Sequence, residues 1–166
     1  MDRTHTVIAS PLGGLTVVAE DGGLSGLYFE GHRRGPKAEE LGTYREPGFE
    51  EVRCQLNEYF AGERTRFELP LAPRGNDFQQ RVWRLLREIP FGETRSYGDL
   101  ARELGDVSLA QAVGSANGRN PLSVIVPCHR VVGADGDLTG YAGGLDRKRF
   151  LLDLEEPAVR RAARLF

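Results

Sequence analysis

The sequence predicts an α+β protein of two consecutive units, and three observations support this. Short β-prone runs separated by turn sequences fill the first third. Amphipathic segments with helix-capping residues follow. Between them, the Pro- and Gly-containing stretch 70–75 reads as a linker, which puts one unit at 1–73 and the second at 74–166. At 166 residues the chain is long enough to bury a core, and 40% hydrophobic with 28% charged residues is an ordinary globular composition.

The β-prone runs are 5–9, 15–19 and 24–29. Pro11-Leu12-Gly13-Gly14 and Asp21-Gly22-Gly23 separate them, which predicts an antiparallel meander. Residues 31–48 are polar, with Gly and Pro, and read as a long loop. Over 49–60, Phe49, Val52, Leu56, Tyr59 and Phe60 share a face at helical spacing, with Cys54 opposite and exposed. A further strand is predicted at 67–69.

The second unit opens with a helix. Asp77 and Gln80 form a capping box, Phe78, Val82, Leu85, Leu86 and Ile89 form the apolar stripe, and Pro90 ends it. Trp83 at the edge of the stripe reads as core. Ser96 with Asp99 opens a short helix through Leu104, and Ser108 with Gln111 opens another over 109–118. Two short helices joined by Gly105-Asp106-Val107 make a helix-turn-helix pattern. The second is rich in small residues. Either it sits deep against another surface, such as a DNA groove, or it packs closely inside its own domain. A buried strand over 122–126, a hairpin turn over 133–137, a Gly-rich loop over 139–144 and a helix over 146–155 complete the chain.

Charge and cysteine usage narrow the function classes. The net charge is −2, with −4 over 1–73 and +2 over 74–166. No acidic residue occurs from Val107 to Ala134, a stretch that holds Arg119 and Arg130. That suits a surface meeting a polyanion, and equally a buried segment. Cys54 and Cys128 form neither a disulfide framework nor a metal-ligand pattern, so a reducing cytoplasm is expected and no metal is implied. No membrane span is present, and residues 1–5 do not read as a secretory signal.

Cys128 stands between Pro127 and His129, with Arg130 next. A neighbouring His or Arg favours the nucleophilic thiolate, and proline fixes the backbone before it. A buried inert cysteine is the alternative. In an extended strand His129 would point away from Cys128. Either the chain turns at Pro127-Cys128 or a water bridges the two side chains, and a carboxylate should orient the ring.

The chain resembles the methylated-DNA–protein-cysteine methyltransferases, which repair 6-O-alkylguanine. Pro127-Cys128-His129-Arg130, Asn120-Pro121, Arg95-Ser96-Tyr97-Gly98, Ala112-Val113-Gly114 and the run from Thr139 to Gly144 carry the resemblance, which is strong over 75–155. It implies a small ribonuclease-H-like N-terminal domain and a winged-helix C-terminal domain. The small-residue helix would enter the minor groove, and the damaged base would be flipped into a pocket. Cys128 would take the alkyl group once and keep it. His129 would relay the thiol proton through water, Glu155 would orient His129, and Tyr97 would donate to the leaving guanine. Cys128, Val131 and Ala142 would read the base edge through their backbone. Tyr141 would wall the pocket and Asn120 would hold the turn, while Arg130 is structural. Gln111, Ala112, Gly114, Ser115 and Arg119 would face double-stranded DNA. No cofactor is implied, and the protein would act as a monomer on 6-O-alkylguanine, with 4-O-methylthymine a second possible substrate. Two departures from the family stand out. Gln111 occupies a place often held by an arginine that fills the space of the flipped base, and its capping-box role competes with that job. Ala142 replaces a hydroxyl residue of some relatives.

Overall fold

The computed structural model describes residues 2–32 and 35–157. Strands β1 (Arg3–Ile8), β2 (Leu15–Glu20) and β3 (Gly23–Phe29) form the predicted meander. The β2–β3 turn places Asp21 and Gly22 both at positive φ, 52° and 82°, the backbone that a tight hairpin requires. The polar stretch 31–48 is more ordered than a plain loop. It contains a 3-10 turn, Ala38–Glu40, and a two-residue strand β4 (Thr43–Tyr44) that pairs parallel with β1. Residues 33 and 34 of that stretch lie outside the described residues. The sheet order is β3-β2-β1-β4. Helix α1 (Glu50–Phe60) buries Val52, Leu56 and Tyr59, and Cys54 is exposed as its helical position predicts.

The 67–69 segment is not a strand. The chain meets β3 only beyond it, where Leu24 N–H donates to Pro70 O and Ala72 N–H donates to Leu24 O. The 70–75 connection is therefore tied to the sheet rather than free.

Helix α2 (Asp77–Arg87) starts one residue earlier than its predicted cap implied. Asn76, not Asp77, is the N-cap, paired reciprocally with Gln79. A two-residue strand β5 (Arg95–Ser96) leads into α3 (Tyr97–Glu103), capped by Ser96 and Asp99 as expected. The third predicted capping box does not form. Asp106 accepts from Ser108 N–H and opens a 3-10 turn, Val107–Leu109, and α4 (Ala110–Gly118) follows without a side-chain cap. An Asp two residues ahead outcompetes the Ser for the free N–H groups. Gln111 is thereby released from the capping role. Helix α4 packs on α2 and α3, with Val113, Ala116 and Asn117 inward and Trp83 Nε1–H donating to Ala116 O at 2.9 Å.

The apolar run 122–126 is buried but is not a strand. Val124 has φ of 72°, a conformation a β-branched residue rarely adopts. Two tight bonds hold it there, Ile125 N–H to Ser123 O and Val126 N–H to Leu122 O, both 2.8 Å. Leu122, Val124, Ile125 and Val126 are each under 7% exposed, so burial fixes a coiled turn that alternation alone reads as β. The Val131–Val132 strand β6 pairs parallel with β5 instead of with the chain after the 133–137 turn. Helix α5 (Leu145–Glu155) ends the described chain. One apolar core runs continuously from β2, β3 and α1 through α2, α3 and α4 to Leu151 of α5.

Candidate active site

The chain turns at the cysteine. Cys128–Arg130 is a single 3-10 turn, with Arg130 N–H bonded to Pro127 O at 3.0 Å, and all three of its side chains are buried. Of the two arrangements the sequence left open, the backbone takes the turn instead of running on as an extended strand.

Behind it lies a buried carboxylate. Glu155, at the last turn of α5, is 1% exposed. Its Oε2 accepts from His129 Nε2 at 2.7 Å, from Tyr59 O–H at 2.5 Å and from Arg130 Nη2 at 3.0 Å. Its Oε1 accepts from Arg130 Nε at 2.7 Å. Arg130 also donates to Ile89 O at 2.7 Å and lies over the Phe91 ring. His129 and the Arg130 guanidinium hold the Glu155 carboxyl down at about 2, against the opposing effect of its burial. An ionised carboxylate can only accept, so His129 carries its proton on Nε2. Nδ1 is left as an unprotonated acceptor, buried and without a protein partner among the described residues. Burial, with Arg130 and Lys148 adding to it, lowers the His129 pKa, and Glu155 opposes that shift.

Burial pushes the Cys128 thiol up to about 11. A hydrogen bond from Asn120 and the Lys148 charge pull the other way. The resting group is therefore a thiol rather than the thiolate expected from its neighbours: Arg130 is spent on Glu155, and desolvation dominates. Asn120 fixes the turn at both ends, donating to Val126 O at 2.8 Å and accepting from Leu122 N–H at 3.0 Å.

In front of Cys128 a cavity of about 390 Å³ opens between α4, the start of α3 and the Gly-rich loop. Of the residues singled out in the sequence, Tyr97, Gln111, Gly114, Ser115, Asn120, Cys128, Tyr141 and Ala142 line it. His129 and Glu155 stand behind the cysteine. Ala112 and Arg119 are exposed on or at the end of α4, away from the cavity wall. Val131 is fully buried in β6, its N–H bonded to Cys128 O, so its side chain is not part of the cavity. Tyr97 O–H and Thr139 Oγ1 are 3.0 Å apart, joining α3 to the Gly-rich loop.

Three contributors carried no sequence signal. Asn117 lines the cavity, and its Nδ2 lies 3.4 Å from Cys128 O. Lys148 is fully buried, donates to Thr139 O at 2.6 Å, and is pushed down to about 8 by burial. Tyr59 arrives from the first unit. The Gly-rich loop has three anchors. Lys148 holds its start, Arg147 donates to Gly143 O and Glu30 O, and the Phe29 ring lies against Tyr141.

Comparison with known proteins places this geometry among relatives. The family model described as 6-O-methylguanine DNA methyltransferase, DNA binding domain, matches residues 77–157. The ribonuclease-like domain of the same family matches residues 4–73. A methylated-DNA–protein-cysteine methyltransferase of Mycobacterium tuberculosis is 50% identical over 153 residues, covering 92% of each chain. One from Methanosarcina acetivorans is 46% identical over 151 residues, 91% of this chain and 97% of its own. The crystal structure of Mycobacterium tuberculosis OGT in complex with DNA matches with a TM-score of 0.87 at 49% identity, over 92% of each chain.

Proposed function

The chain belongs to the 6-O-methylguanine DNA methyltransferase family, and from that premise we propose that it reverses alkylation damage by moving the alkyl group of 6-O-alkylguanine in double-stranded DNA onto Cys128. The observation that carries this reading is a buried thiol lining the cavity beside a histidine whose Nδ1 is left as a base by the Glu155 carboxylate.

In the proposed reaction the Cys128 proton passes through water to His129 Nδ1. The sulfur attacks the alkyl carbon, a C–S bond forms, and the bond from that carbon to guanine O6 breaks. Tyr97 gives up its Thr139 partner and donates to the guanine as negative charge develops on it. The imidazolium is stabilised by Glu155. Because the thiol rests protonated, its nucleophilicity is released only when the base accepts the proton. The thioether product has no leaving group that water can displace, so each molecule acts once.

The base reaches the cavity by flipping out of the duplex, since a stacked guanine cannot present its alkyl carbon to a recessed sulfur. Helix α4 lies in the minor groove, with Gln111 in the space the base leaves. Ala112, Ser115 and Arg119 complete the DNA-facing surface, and the Ala142 backbone reads the base edge. The two functional units are 1–73 and 74–166, acting as a monomer, and thiol chemistry of this kind calls for a reducing compartment, so the cytoplasm is its place. Among the described residues no helix is long and apolar enough to cross a membrane.

Stoichiometry tests the reading. Titrating a duplex with one 6-O-methylguanine should restore one guanine per protein molecule and then stop. Repeated turnover, or hydrolysis of activated esters with many turnovers, would instead mark a cysteine hydrolase.

A further inference from the structure

The Glu155 carboxylate accepts one bond for which the alkyl-transfer scheme supplies no role. Tyr59 belongs to α1, 96 residues before Glu155 and on the other side of the 70–75 connection. Its side chain is 1% exposed, and its hydroxyl shares Oε2 with His129 and Arg130. The ring is already held by Phe60, Phe67 and Phe91, at centroid distances of 5.2, 5.3 and 6.3 Å. A phenylalanine would satisfy that packing. A hydroxyl buried there costs desolvation that only its hydrogen bond offsets.

We propose that Tyr59 is a positioning residue of the active site, contributed by the N-terminal unit, which acts through Glu155 to temper the hold of the carboxylate on the His129 proton. The inference rests on the reading of His129 as the base. A carboxylate oxygen that accepts several donors is less basic toward each of them. The charged and titratable groups that act on His129 are Glu155 and Lys148 from α5, and Arg130 from its own turn. Glu155 additionally faces Tyr59 from α1, with Tyr141 of the Gly-rich loop nearby. Of the groups that act on His129, Glu155 is the one that favours its charged form, and Tyr59 moderates it. The result is a histidine kept neutral, with Nδ1 open, until a proton arrives from the thiol. Burial and the adjacent carboxylate keep the Tyr59 phenol well above its ordinary range, so it stays a donor.

The test uses the full-length protein without DNA and reads the His129 Nε2–H proton by NMR at neutral pH. In Tyr59→Phe the His129–Glu155 bond should tighten and the signal move downfield. With 3-fluorotyrosine at position 59, a stronger donor of nearly the same shape, it should move upfield. In parallel, the pH midpoint for alkylation of Cys128 by iodoacetamide should fall in Tyr59→Phe, by about one unit if the lost bond has the strength usual for a charged acceptor. Unchanged signals, or shifts of the same sign in both variants, overturn the proposal. Should Tyr59→Phe fail to fold, the fluorinated protein decides alone, and no upfield shift overturns it. Opposite shifts in a protein that takes up no methyl group would refute alkyl transfer and leave the Tyr59 inference standing.

Discussion

At the scale of single residues, Glu155 is the group that ties the candidate site together. It neutralises Arg130, fixes the His129 tautomer and receives Tyr59, while itself only 1% exposed. Replacing it by glutamine keeps the shape but removes the charge and turns an N–H₂ toward donors. Breaking a buried pair in this way costs about 3 kcal/mol. Glu155→Gln should therefore show that loss in urea unfolding, together with a collapse of the transfer rate. A variant of unchanged stability would mean that Arg130 finds another acceptor. The Cys128-His129 pair was legible in the sequence because proline, thiol and imidazole stand adjacent. Glu155 came only through the resemblance, since nothing local marks one acidic residue of α5 from the next. Tyr59 and Lys148 were invisible for the same reason: a tyrosine on an apolar helix face and a lysine in a charged helix look ordinary until the chain folds.

At the scale of elements, α4 decides between the two readings of its small residues. A Cβ added at Gly114 would meet only the Tyr97 ring, at 3.6 and 3.7 Å, and one at Gly118 would meet nothing within 4 Å. Internal packing therefore does not require these glycines, and they leave the outer face of the helix bare. Gly114→Ala should raise helix stability by about 1 kcal/mol, seen as a higher melting temperature, while slowing repair of duplex DNA by narrowing the cavity. A lower melting temperature would restore the internal-packing explanation. Gln111, freed from the capping role by Asp106, is exposed at the cavity rim. Gln111→Ala should reduce repair of duplex DNA more than reaction with the free alkylated base, and equal loss on both would remove its intercalating role. The strands of the meander were legible from their Gly-rich turns. The 122–126 run was not, because an apolar run reports burial, and only the positive φ of Val124 distinguishes a buried turn from a buried strand.

At the scale of the whole molecule, the two units share one core, and the first unit reaches the site through Tyr59 and through Phe29 beside Tyr141. The two-unit order was readable from the Pro- and Gly-containing stretch at 70–75, but contacts across it were not, since they join residues about a hundred positions apart. Buried groups also set the acid response of the fold. The pKa of His129 is lowered by burial, and that of His32 is lowered to about 4 by burial and Arg147. A histidine depressed in the native state binds its proton in the unfolded chain first. Stability should thus be full above about pH 6.5 and fall as pH drops below it. Glu155, depressed to about 2, adds a second loss that begins near its unfolded value of about 4.3 and continues toward pH 2. Urea midpoints at pH 8, 6 and 4 should decline in that order of steepness, and a flat profile from pH 7 to 5 would contradict the neutral buried His129.

Peptide mass spectrometry after mixing the protein with a duplex carrying one 6-O-methylguanine bears most directly on alkyl transfer to Cys128. A single methyl increment on the peptide containing Cys128, saturating at one per molecule and absent from the Cys54 peptide, is the predicted result. A protein that binds the damaged duplex and gains no methyl group, or gains it elsewhere, would contradict it.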